Sequence, residues 1–348
     1  MDLLFFLCFF TVSSYLIHII AHEIGHLITG LTTGWRFVVL QVFYFAITKN
    51  KDFHVKKLPS IGCQCIMSPK TPMQNSVLYT LGGIIMNFII TLSCFYGMII
   101  NPIGDLAWLF FFCCFACGLL MLILNGIPNT RGVCNDMACF LFCTKEKTTK
   151  YYHNIQLMTA GQLANGLTYR QCEAPLILMQ ALKETNDILA YQTVLELYYY
   201  LDCTSYSRAE NILKRIELSK QVSSGIDKII KLEVLFFDLI ISIIRKDITE
   251  INMESYDFDI DKYISKHDTK GDVHSARVKA VWVAYQNYRN GELQEGIQCL
   301  DQAIMSIQAM ECLYSGEKLF CLDQLVAIRN IFWRDSIVFE QYRGISCS

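Results

Sequence analysis

Apolar residues are spread unevenly along the chain, and their runs divide it in two. Three runs in the first 124 residues reach the length needed to cross a bilayer, about 20 mostly apolar residues. They are Leu3 to about Leu31, Val77–Ile100 and Leu106–Leu124, and the second and third contain no charged residue. Between the first two runs the pattern changes to β-formers behind Gly or Pro breaks, in Arg36–Thr48 and again in Ile61–Met67. Beyond about residue 150, apolar positions are interrupted by charges throughout. In Ile229–Ile244, Lys231, Glu233 and Asp238 exclude a fourth span and mark a buried amphipathic helix.

The distal half reads as paired helices. Ala280–Tyr285, Tyr288, Gly291-Glu292, Gly296-Ile297 and Leu300–Ile304 look like a tetratricopeptide helix pair, and a similar pair surrounds Tyr206, Ala209 and Ile212. Turns near Tyr206, Asp247 and Gly291 recur about every forty residues, longer than the usual ~34. The expected fold is an all-α polytopic membrane protein over about 1–145, in which the β-forming stretches are either a small membrane-embedded β element or a simple surface loop. A soluble α-solenoid follows over about 150–348, with a concave surface for a cytoplasmic peptide or protein partner.

Charge sets the orientation. The chain holds 30 Lys or Arg and 32 Asp or Glu, but residues 1–144 contain only seven and five of them. Neither half has the basic bias that nucleic-acid binding requires. Arg36, Lys49, Lys51, Lys56, Lys57 and Lys70 lie between spans one and two, and none lies in the turn from Asn101 to Asp105. More follow span three, at Arg131, Lys145, Lys147 and Lys150. The positive-inside rule then places the N-terminus outside and the distal domain in the cytoplasm. The start, Met1-Asp2-Leu3, has no basic residue, so the first run reads as a retained span rather than a cleaved signal. Ten of the sixteen cysteines lie in or beside the membrane block. Cys63/Cys65 and Cys139/Cys143 complete no four-ligand set, and the cysteines read as small buried hydrophobes.

The candidate chemistry begins at His22-Glu23-Ile24-Gly25-His26, at the end of the first run. Residues four apart share a helix face, so His22 and His26 can reach one zinc ion. Glu23 beside them can take a proton from water and pass it to a leaving amine. Such residues are costly in lipid and need a compensating partner, which a metal supplies. His18, one turn back on the same face, reads either as a group behind the ligands or on the substrate side, or, the favoured reading, as a polar residue facing the bundle. A catalytic zinc takes a third protein ligand and keeps an open position. Asp105 lies on the outer turn, and Asp52 and His54 lie in a charged loop, which leaves Asp136. That residue follows Asn125 and Pro128 and opens a short apolar stretch, Met137–Cys143, expected to tuck back along the core.

The order of these elements resembles the site-2 protease family of intramembrane zinc metalloproteases: His-Glu-x-x-His in a span, Gly82-Gly83-Ile84-Ile85-Met86-Asn87 in the next, then Asn125-x-x-Pro128 and a later Asp. The resemblance covers about residues 1–145. The Pro-to-Asp interval is longer than is common in the family, and Met137 stands where the family carries Gly. The resemblance implies that His22, His26 and Asp136 bind zinc, that Glu23 activates water, and that the enzyme is a zinc endopeptidase. Asn87, ~15 Å into its span at ~1.5 Å per residue, is read either as a donor to substrate or oxyanion or as helix packing. Gly82 and Gly83 admit a neighbouring backbone or an extended substrate, and Asn125 joins the candidate substrate-contacting group. The strands between spans one and two are expected to pair edge-to-edge with substrate. Expected partners are the lipid bilayer and a small membrane protein or peptide precursor, in a bacterial cell membrane. The competing classes are a non-proteolytic membrane scaffold retaining a metal site and a metal-handling membrane protein.

Overall fold

The computed structural model describes residues 2–49, 52–100, 104–129, 134–177, 186–217, 222–246 and 272–346. The expected turn near Asp247 and residues 130–133 of the Pro128–Asp136 segment lie outside the described residues. The chain forms two compact units, one of Met1–Lys56, Ile61–Gly161 and Glu184–Gln192, the other of Lys57–Ser60, Gln162–Lys183 and Thr193–Ser348.

In the first unit, α1 (Asp2–Thr32), α2 (Val77–Ile100) and α3 (Asp105–Gly126) follow the three apolar runs and pack on one another. Each is long and apolar enough to cross a membrane. Helix α1 ends where Gly34 takes a left-handed conformation, φ 81°. There Trp35 N–H donates to the Gly30 carbonyl at 2.9 Å and Gly34 N–H to that of Leu31 at 3.1 Å. These two bonds satisfy carbonyls that the last turn leaves orphaned.

The fold is mostly helical but not purely so. Strands β1 (Arg36–Lys49) and β2 (Phe53–Ser68) form a two-stranded sheet. It is anchored on a small core in which Trp35, Cys65, Met67 and Tyr79 pack together, with Trp35 stacked on Tyr79 at 4.4 Å. Two shorter helices follow, α4 (Asp136–Lys145) and α5 (Lys147–Ala164). Helix α4 lies against α2, as a return along the core requires. Asn154 of α5 donates to the carbonyls of Pro72 and Gln74 at 2.9 and 2.8 Å, tying it to the segment that enters α2. The fifteen described cysteines are all free, and Cys65, Cys94, Cys113, Cys114, Cys117 and Cys143 are buried.

Apart from Lys57–Ser60 of β2, the regular elements described in the second unit are helices. After a 3-10 turn at Tyr169–Gln171 come most of α6 (Asp187–Asp202), then α7 (Tyr206–Glu217), α8 (Ser224–Arg245), α9 (Val273–Arg289), α10 (Leu293–Ala309) and α11 (Ser315–Ser346). Helices α9 and α10 pack as a pair, turned by Gly291 at φ 78°. A side chain at Gly296 would meet the ring of Phe332 at 2.7 Å, so the glycine lets α10 and α11 approach. Glu233 of α8 is buried and held by Arg277 of α9, both of whose contacts to the carboxylate are 2.6 Å.

Candidate metal centre

His22 and His26 stand on one face of α1, two turns before its end, and both are buried. Their Nε2 atoms are 3.3 Å apart. Oδ2 of Asp136 lies 2.9 Å from Nε2 of His22 and 3.2 Å from Nε2 of His26. Ligands at the corners of a tetrahedron with bonds of ~2.0–2.1 Å stand ~3.3 Å apart, so a triangle of this size can close on one metal ion. These three residues form the only such group among the described residues.

The backbone around them explains why they meet. Asn135 caps α4, its Oδ1 accepting from Ala138 N–H at 3.1 Å. Its Nδ2 donates to the carbonyls of Leu124 and Ile127 at 2.8 and 2.7 Å. One amide thus joins the end of α3 to the start of α4 and aims Asp136, the first residue of that helix, at the histidines. Burial works against the charge on Asp136, but hydrogen bonds from His22 and His26 hold its carboxyl well below the usual carboxylate range.

Each imidazole is also held from behind. His26 Nδ1–H donates to the Tyr79 carbonyl at 2.7 Å, which leaves its Nε2 lone pair facing the triangle. Tyr79 is fixed in turn by its hydroxyl, which donates to the Cys65 carbonyl at 2.9 Å. Nδ1 of His22 meets the side-chain amide of Asn87 at 3.2 Å, and the far end of that amide meets Nδ1 of His18 at 3.1 Å.

Glu23 lines a cavity of about 310 Å³ with His22, Asn125 and the apolar side chains of Ile19, Phe43, Ile61 and Met121. The backbone of Cys65 lies beside its carboxylate. Phe43 reaches this wall because its backbone is left-handed, φ 56°, a conformation braced by the Gln41 amide donating to the Phe43 carbonyl at 3.0 Å. The arrangement offers an acid–base carboxylate, a three-ligand metal cradle and an apolar recess in one place.

The sequence-derived residues therefore separate into three groups. His22, His26 and Asp136 come together, with Glu23 and Asn125 on the adjoining cavity. Asn87 is 1% exposed and turned to the two histidines instead of lining the cavity. Gly82 and Gly83 face α1: a Cβ on Gly82 would lie 2.9 Å from the Gly25 carbonyl carbon, and one on Gly83 would fall on the His22 ring. Asp105 and Asp52 lie outside the donor group. Sequence reasoning did not find Tyr79 or Asn135. Asn135 carries a local signal, an N-cap residue directly before a carboxylate; the Tyr79 carbonyl carries none. In comparisons with known proteins, no family model, no curated protein and no solved structure matches this chain.

Proposed function

We propose that the chain is an intramembrane zinc metalloprotease. It hydrolyses a peptide bond in or near the membrane segment of a small membrane protein or peptide precursor. The observation that carries this reading is the convergence of Asp136 on His22 and His26 beside Glu23, the last three on a helix long and apolar enough to span a bilayer. Two imidazole nitrogens and one carboxylate oxygen are a donor set that suits catalytic zinc. Bound there, zinc supplies a Lewis acid that polarises a carbonyl and makes water a stronger acid.

The protein's own groups do the rest. Glu23 takes the proton from the attacking water and returns it to the leaving amine. The recess beside it, walled by Ile19, Phe43, Ile61 and Met121, receives an apolar side chain of the substrate. Strand β2 passes Glu23 at Cys65, so an extended substrate segment laid along this edge runs past the carboxylate. The N-terminus lies outside a bacterial cell membrane, and the helical unit lies in the cytoplasm as a solenoid that recruits or gates substrate.

The test is zinc content of the detergent-purified protein together with a comparison of membrane peptides from cells carrying the active chain or Glu23→Gln. One zinc per chain and peptides that accumulate only with Glu23→Gln are expected. A chain without metal overturns the reading. A metal-loaded chain with identical peptide profiles makes it a scaffold that keeps a metal site.

A further inference from the structure

We infer that Asn87 and His18 are positioning residues that fix His22 in the tautomer a metal ligand needs, through a line of hydrogen bonds ending on the backbone of α3. The inference rests on the metal-site reading above and concerns what lies behind the ligands.

Both residues are buried among the three apolar helices, with His18 at 0% exposure. Nε2 of His18 lies 3.0 Å from the Cys114 carbonyl. A carbonyl only accepts, so this nitrogen carries the hydrogen. In a neutral ring Nδ1 then offers a lone pair and requires a donor. The facing atom, 3.1 Å away, is Oδ1 of Asn87, and Nδ2 of the same amide is 3.2 Å from Nδ1 of His22.

An amide has two orientations of nearly equal shape, related by a half-turn. A half-turn from the placement above brings its NH2 toward His18, and every bond in the line is then made. Asn87 donates to His18, its oxygen accepts from Nδ1–H of His22, and Nε2 of His22 keeps a lone pair for the metal. The other orientation offers an N–H to Nδ1 of His22. The hydrogen of His22 then sits on Nε2, inside the donor triangle, and both nitrogens of His18 must be protonated within an apolar bundle, which is costly. The Cys114 carbonyl therefore decides, through two side chains, which nitrogen of His22 is free. Space for the line comes from two glycines. A Cβ on Gly83 would fall on the His22 ring, and one on Gly118 would lie 2.7 Å from Cε1 of His18.

Zinc affinity of the full-length protein in detergent, measured by competition with a chelator of known affinity, tests this. Asn87→Leu removes the acceptor and is expected to weaken zinc binding about 10–100-fold, the usual cost of losing such a partner. Asn87→Asp keeps an acceptor for Nδ1–H of His22 and should remain within several-fold of wild type. His18→Phe frees the amide to turn and should weaken binding less than Asn87→Leu. Ser93→Ala, at an exposed position on α2 whose hydroxyl bonds only its own helix, should change nothing. Unfolding temperatures of the metal-free forms show which variants are folded, and Asn87→Ala carries the same expectation if Asn87→Leu is not. Wild-type affinity in a folded Asn87→Leu, or an Asn87→Asp no better than Asn87→Leu, overturns the inference while leaving the metal site standing. A wild-type chain that binds no zinc overturns both.

Discussion

Oδ2 of Asp136 stands 3.2 Å from Nε2 of His26, across 110 residues of chain. An aspartate side chain is short, so this distance is set by where α4 begins. That start is fixed by Asn135, which bonds the last carbonyls of α3 while capping α4. Asp136→Ala is expected to lose zinc and turnover, and Asp136→Asn to give a folded, membrane-inserted protein with weakened zinc. Asp52→Asn and Asp105→Asn should leave both nearly intact. Zinc content and turnover measured side by side on the four variants decide whether the third ligand is correctly assigned.

The ligands and the acid–base group should separate cleanly. His22→Ala and His26→Ala each remove a nitrogen from the triangle and should empty the site. Glu23→Gln leaves all three donors in place, so it should keep one zinc. Its turnover should fall by a factor of about 10²–10⁴, the usual contribution of a positioned proton carrier. Full turnover in Glu23→Gln would assign the proton transfers elsewhere.

How much of this was legible depended on how local each feature is. Helices α1, α2 and α3 follow from long apolar runs, and the His22–His26 pair follows from a four-residue spacing on one helix. Strand β2 was harder: it starts at Phe53, eight residues before the expected Ile61, and passes through Lys56, Lys57 and Pro59. Those residues break the apolar pattern, but pairing with β1 supplies the hydrogen bonds that propensity does not. The groups behind the ligands were invisible for a different reason. The Tyr79 carbonyl has no side-chain signal, and spacing could place His18 near the ligands but could not name its partners, Asn87 and Cys114, which α2 and α3 bring to it. In the second unit the charge at Glu233 marked a helix, but nothing local names Arg277, 44 residues on, as its partner.

The glycines between α1 and α2 make two different demands. A Cβ on Gly25 would lie 2.8 Å from the Gly82 carbonyl carbon, so Gly25→Ala forces two backbones apart. That substitution should cost about 1–3 kcal/mol, as overpacking usually does, and lower the unfolding temperature. A Cβ on Gly83 would lie 2.5 Å from both ring nitrogens of His22. Gly83→Ala should therefore weaken zinc binding more than Gly25→Ala does, even where the two proteins are equally stable. Equal zinc affinities in the two would show that the His22 ring relaxes freely.

Charge bias makes a statement about sidedness that can be tested without any activity. A reporter fused after Lys150 should read cytoplasm, and one inserted at Asp105 should read the outside. An external reading at residue 150 would mean an additional crossing and would reverse the side from which substrate and water reach Glu23.

The strongest stability test lies in the helical unit, at Glu233 and Arg277. The guanidinium Nη2 is 2.6 Å from both carboxylate oxygens, its plane lies 3.7 Å from the Phe236 ring, and Tyr198 donates to the same carboxylate at 2.9 Å. Both charges are buried, so removing Glu233 strips Arg277 of its carboxylate, and removing Arg277 leaves Glu233 with only Tyr198 and His274. Glu233→Gln and Arg277→Met are each expected to destabilise by about 3–5 kcal/mol, the usual cost of breaking such a pair. Replacing both with apolar residues of similar volume should cost much less. Acid provides an independent check. Burial alone would raise the Glu233 carboxyl, but Arg277 and His274 hold it below its ordinary value. A carboxyl depressed in the folded state contributes stability that is present in full above its unfolded value of about 4.3 and fades as pH falls through the folded one. The stability gap between wild type and Glu233→Gln should therefore shrink as pH falls below about 4; nearer neutral pH it also carries the titration of His274, which the same carboxylate raises. Unfolding followed by tryptophan fluorescence across that range measures it. A gap that stays constant into strong acid would mean the carboxylate is not what Arg277 holds.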